Sequence, residues 1–139
     1  MSEVEVTRVV EAVLAAERVG DIEVGVVFVD ADAMQTLNLQ HRAQDAPTDV
    51  LSFPIDSDGD QVFPGVPRML GDVVICVPVL IDQAAEQEVT PGAELTDLLV
   101  HGVLHLLGYD HEADDGEMLA RQDEIVGELV SIVWQPATQ

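Results

Sequence analysis

Val6, Val9, Val10, Val13 and Leu14 recur at three- and four-residue spacing, which predicts a helix ending near Gly20. The segment IEVGVVFVD that follows is short and rich in β-branched residues, and it reads as a buried strand. Asp30 or Asp32 suits the N-cap of a second helix that carries Met34 and Leu37. Residues Arg42 to Thr48 are polar, contain Pro47 and predict a loop. In DVLSFPI, Leu51, Phe53 and Ile55 alternate with Val50 and Ser52, giving a strand with one buried face. Pro54 has no N–H for a ladder, so this strand lies at an edge or ends there. Asp56 to Arg68, rich in Gly, Pro and Asp, predicts a long mobile loop. The uninterrupted apolar run GDVVICV predicts a strand covered on both faces, stopped by Pro78. A helix over Val79 to Val89 follows.

Thr90 and Pro91 then suit the N-cap and first position of a helix that runs to Leu107 and stops at Gly108. A final amphipathic helix spans Asp114 to Trp134, with Met118, Ile125, Leu129 and Trp134 on its apolar face. The order α-β-α-β-β-α-α-α predicts a single α+β domain over residues 1–139, a small mixed β-sheet packed against helices. The helix after Thr90 is apolar around most of its circumference, which makes it the buried central helix. Its one polar stripe holds Glu94, Asp97, His101 and His105.

Composition narrows the function. At 139 residues with 47% apolar content, the chain can bury a core without disulfides. The one cysteine, Cys76, sits in VVICV and reads as a small buried hydrophobe, with a thiolate metal ligand as the alternative. The N-terminal residues lack a basic stretch followed by an apolar one, and the run Leu98 to Leu107 is too short for a bilayer. A cytoplasmic protein with no membrane partner is expected. Twenty-seven acidic residues face five arginines and no lysine, a net charge of −22. This is a heavily solvated surface or an adaptation to high internal salt, and it excludes a broad basic face for nucleic acid.

The histidines supply the chemistry. His101 and His105, four residues apart, stand one helical turn above each other, with Cβ atoms about 5–6 Å apart. Gly108 breaks the helix, and Tyr109-Asp110 can turn His111 back to the same point. Three imidazoles plus an open position is the pattern of a catalytic zinc site. One such histidine alone would read as a core residue satisfied by a hydrogen bond. Three on a helix that otherwise excludes polar groups do not. A closed structural zinc site would need a fourth ligand, for which His41 is available. Zn²⁺ is expected, although three imidazoles also take other divalent transition metals. The spacing H-x3-H-x2-G-x2-H matches a zinc-protease motif at the histidines and glycine, but the general-base glutamate is replaced by Gly102. Ordinary peptide hydrolysis is therefore disfavoured.

HGVLHLLGYDHE, together with LNLQHRAQDAPTDVLSFP and LGDVVIC upstream, closely resembles the YbeY family of bacterial metallo-endoribonucleases, over about Leu37 to Met118. The resemblance implies a single-strand-specific endoribonuclease acting in 16S ribosomal RNA 3′-end maturation and ribosome quality control. RNA and ribosomal subunits would be its partners. It places the zinc ligands on His101, His105 and His111, and the functional arginine on Arg42. Two departures accompany it. Family members usually carry an aromatic residue where this chain has His41, and they tend to present a positively charged groove.

The expected chemistry is phosphodiester cleavage. The ion would polarise a phosphoryl oxygen or lower the pKa of a bound water, while Arg42 holds the scissile phosphate through its planar fork. Asp97 or Asp110 would orient a ligating imidazole, or equally serve as a cap or a solvated acid. A peptidase-like hydrolase and a ribosome assembly factor with a structural metal are the rival readings.

Overall fold

A computed structural model describes residues 3–20, 22–55, 68–109 and 116–132. The elements are α1 (Glu3–Ala16), β1 (Ile22–Val29), α2 (Ala31–Arg42), β2 (Val50–Pro54), β3 (Arg68–Cys76), α3 (Val77–Glu86), α4 (Pro91–Leu106) and α5 (Glu117–Ile132). The order and α+β class are those expected.

The three strands lie in the order β1-β3-β2, with β1 parallel and β2 antiparallel to the central β3. The apolar run in β3 explains why it takes the middle. Val73 and Ile75 join the larger core with α1, α4 and α5, while Val74 and Cys76 join a second core with Met34 of α2 and Leu51 of β2. Both faces of one strand are thus buried, as a period of two requires. Cys76 is fully buried, a packing residue with a free thiol.

The reading of β1 as a buried strand is corrected. It pairs only with β3 among the described residues, and Val27 and Phe28 remain 45% and 46% exposed. β-branched composition marks a strand, but it does not say how many neighbours the strand will have. The boundary after α2 also shifts. Arg42 is the last helical residue rather than part of a loop, because Ala43 takes the left-handed conformation (φ 56°) and its N–H bonds back to the Asn38 and Leu39 carbonyls. Pro78 sits in the first turn of α3, so it starts that helix where β3 ends. The predicted 56–67 part of the long loop, and Asp114 and Trp134 of the last helix, lie outside the described residues.

α4 is the pivot of the fold. It touches α1, α3, α5, β2 and β3, and Leu99, Val100, Val103 and Leu104 are fully buried. The Thr90 side chain caps the Ala93 N–H at 3.1 Å, and Gly108 closes the other end with φ 106°, a conformation costly for a residue with a Cβ. Gly102 is where α4 comes closest to the sheet. A Cβ there would lie 2.7 Å from Val73 Cγ1 and 3.3 Å from Ser52 Oγ, and that hydroxyl donates to the Gly102 carbonyl at 2.9 Å. The position that holds a glutamate in zinc proteases here faces packed side chains. Gly102→Ala should lower stability by about 1–3 kcal/mol through overpacking, more than the ~1 kcal/mol helix propensity of alanine returns. A urea midpoint that rises on this substitution would refute the close contact.

Candidate active site

A cleft of about 570 Å³ runs along β2 and is lined by His41, Arg42, Thr48 to Pro54, His101 and His105. Two of the three expected metal ligands and the expected phosphate-binding arginine therefore share one cavity. The third ligand, His111, lies outside the described residues, as does Asp110. Among the described residues no three His, Cys, Asp or Glu side chains form a ligand cluster.

The polar stripe on α4 supplies one wall. His101 and His105 are partly exposed, with ring centroids 4.9 Å apart and planes at 79°. The i,i+4 spacing stacks them on one side of a buried helix, so the surrounding leucines and valines hold the backbone that carries them. His101 Nδ1 lies 2.9 Å from Gln122 Oε1, and Gln122 Nε2 donates to Asp97 Oδ1 at 2.7 Å. Asp97 thus reaches the imidazole through a glutamine on α5. A pair of imidazoles lining an open cleft fits a borderline divalent cation, which takes nitrogen donors readily.

The end of α2 supplies another part of the lining. His41 and Arg42 are exposed in its last turn, where the negative end of the helix dipole favours cationic groups. The His41 ring packs edge-on against Phe53 of β2, with centroids 4.7 Å apart. Imidazole here does the packing of an aromatic ring, which accounts for the departure from an aromatic residue before the arginine. Among the described residues His41 joins no ligand cluster.

The segment between α2 and β2 is tied down by residues that sequence patterns did not single out. Asn38 is buried and its side-chain amide donates to the Ala46 carbonyl at 2.8 Å, while Gln35 donates to Asp45 at 2.8 Å. The Asp49 carboxylate accepts from the Val50 N–H at 2.8 Å and from the Thr48 hydroxyl at 3.3 Å. Asp49, just ahead of β2, is therefore fixed, and its carbonyl accepts from the Cys76 N–H at 2.9 Å. The burial that makes Asn38 important is not visible in its local sequence.

A second cavity of about 370 Å³ lies behind His101, lined by residues that include Asp49, Glu94, Asp97 and Gln122. Glu94 is 5% exposed there. Burial pushes its carboxyl above the usual carboxylate range, and the negative charges of Asp97 and Asp49 push it further in the same direction.

At the far end of α4, the Glu17 carboxylate beside Tyr109 holds its hydroxyl protonated to higher pH than usual. Arg121 of α5 pairs with Glu17 at 3.4 Å and donates to the Ala16 carbonyl at 2.8 Å. This joins α1 to α5 and sets the register that brings Gln122 to His101.

Comparisons with known proteins identify the family. A profile of the family described as "Endoribonuclease YbeY" matches residues 2–130. The chain is 46% identical to the Endoribonuclease YbeY of Roseiflexus sp. (strain RS-1), covering 89% of this chain and 81% of that protein. It is 48% identical to that of Acinetobacter baumannii (strain ATCC 17978), covering 78% and 71%, and 45% identical to that of Moorella thermoacetica, covering 86% and 81%. A Thermotoga maritima protein solved in solution matches with a TM-score of 0.62 at 35% identity, over 91% of this chain and 79% of that one. With the profile matching from the start of α1 into α5, and with relatives at this identity, the chain belongs to the YbeY family.

Proposed function

We propose that this YbeY-family protein is a zinc-dependent, single-strand-specific endoribonuclease that acts in 16S ribosomal RNA 3′-end maturation and ribosome quality control. Its relatives are named endoribonucleases, and the resemblance in its motifs supports the finer reading of metal and substrate. The observation that carries it is the single cleft shared by Arg42, His101 and His105.

His101 and His105, with His111, would hold the ion. When bound, such an ion supplies Lewis-acid polarisation of a phosphoryl oxygen. Arg42, which lines the same cleft, carries a planar guanidinium that can pair two oxygens of one phosphate and favour the charge that builds on it. Ser52 lines the same cleft, but its hydroxyl is donated to the Gly102 carbonyl, so it serves packing rather than attack. The close packing at Gly102 also argues against a peptidase, since Val73 and Ser52 leave no room there for the glutamate base.

The net charge of −22 sets the conditions for RNA contact. At about 0.1 M salt the Debye length is ~10 Å and the acidic surface repels a polyanion; at about 1 M it is ~3 Å. Contact then rests on the few groups in the cleft. Zinc-loaded protein incubated with single-stranded and with structured RNA should cleave the former, at a rate sustained or increased as salt rises. A rate that falls steadily with salt, as for a basic nuclease, would overturn the salt reading, and equal cleavage of both RNAs would overturn the strand preference.

A further inference from the structure

The hydrogen-bond chain behind His101 has a direction. The Asp97 carboxylate can only accept, so the Gln122 atom 2.7 Å away must be its NH₂ group. The Gln122 carbonyl oxygen is then the atom turned toward His101, 2.9 Å from Nδ1, and it too can only accept. Rotating the amide by half a turn would set oxygen against oxygen at one end, so the orientation is enforced by Asp97 rather than chosen freely. Gln122 is 7% exposed and sits on α5, whose position is fixed by Arg121 on the adjoining residue.

We infer that Asp97, acting through Gln122, fixes His101 as the Nδ1–H tautomer and so turns the lone pair on Nε2 toward the cleft. Both are positioning residues, 25 positions apart in the chain and on different helices. The histidine of a metal site commonly donates its second N–H to a carboxylate or carbonyl, which fixes the ring and raises its basicity. Here an amide stands between carboxylate and ring. The arrangement keeps the buried group beside His101 uncharged, while the carboxylate stays at the partly exposed Asp97. The metal side of this inference rests on the zinc reading above; the tautomer does not.

The test has two readouts. Long-range ¹H–¹⁵N correlation spectra of the metal-free chain report which His101 nitrogen carries the proton, and a zinc competition titration reports affinity. The unaltered chain should show Nδ1–H at His101. Gln122→Met, which keeps the volume but removes the acceptor, should give mixed tautomers and about 10–100-fold weaker zinc binding. Asp97→Asn should fall between, because an asparagine can face Gln122 with either end of its amide. The double variant Asp97→Asn with Gln122→Glu restores the donor order: the introduced amide NH₂ donates to the introduced carboxylate, which accepts in turn from Nδ1–H. It should bring zinc affinity back to within about threefold of the unaltered chain.

An Nε2–H tautomer in the unaltered chain overturns the inference. So does Gln122→Met with tautomer and affinity unchanged, which is what a packing role alone would give. If Gln122→Met does not fold, as judged by circular dichroism, Asp97→Asn and the double variant decide by the same readouts. If His101 shows Nδ1–H yet the chain binds no zinc, the zinc reading has failed and the positioning by Gln122 stands.

Discussion

His105→Ala should abolish stoichiometric zinc binding at micromolar metal and lower the cleavage of single-stranded RNA by on the order of 10³-fold or more, with the fold retained. His105 is only partly buried and lies in the last turn of α4, so truncation removes a donor without opening the core beneath it. With one of three proposed ligands gone, the ion would lose a large share of its binding and the phosphate its electrophile. Metal content by mass spectrometry and single-turnover cleavage check the two effects separately. Rapid rRNA processing by folded, zinc-free His105→Ala would shift the reading to an assembly factor whose metal has no part in chemistry.

Arg42→Ala should lower cleavage by about 10²–10³-fold, the usual effect of losing one charged donor to a developing oxyanion. Zinc content should not change, since a guanidinium stays protonated and is not a metal ligand. Its position at the exposed end of α2 predicts little loss of stability. Arg42→Lys should recover only part of the rate, because an ammonium is a point charge and cannot reproduce the two parallel hydrogen bonds of a guanidinium. The diagnostic result is the split: His105→Ala removes metal and rate together, whereas Arg42→Ala removes rate alone. Arg42→Ala with full activity would remove the arginine from the phosphate-binding role.

The two substitutions differ in how visible their positions are in the chain. His101 and His105 announce themselves through helix periodicity. A helix apolar on most sides makes its one polar stripe conspicuous, and i,i+4 spacing is enough to make the two rings neighbours. Arg42 has no such signal. A lone exposed arginine at a helix end is ordinary, and only the resemblance of its neighbours to a family motif picked it out.

Element order, the α+β class, the two covered faces of β3, the caps at Thr90 and Gly108 and the facing of the two histidines all follow from interactions within a few residues. Period-two and period-3.6 patterns, capping side chains and a left-handed glycine each act over a turn or a strand, so the chain by itself determined them. The tertiary structure alone decided which strand faced solvent on its outer side, leaving Phe28 exposed on β1. It also decided that Gly102 is a packing contact against Val73, that Asn38 secures the segment after Arg42, and that Gln122 reaches His101 from 21 residues away. These are contacts between elements. Their geometry depends on how helices and sheet dock, which side-chain volume and the few inter-helix bonds such as Arg121 to Ala16 set, and no local spacing encodes it.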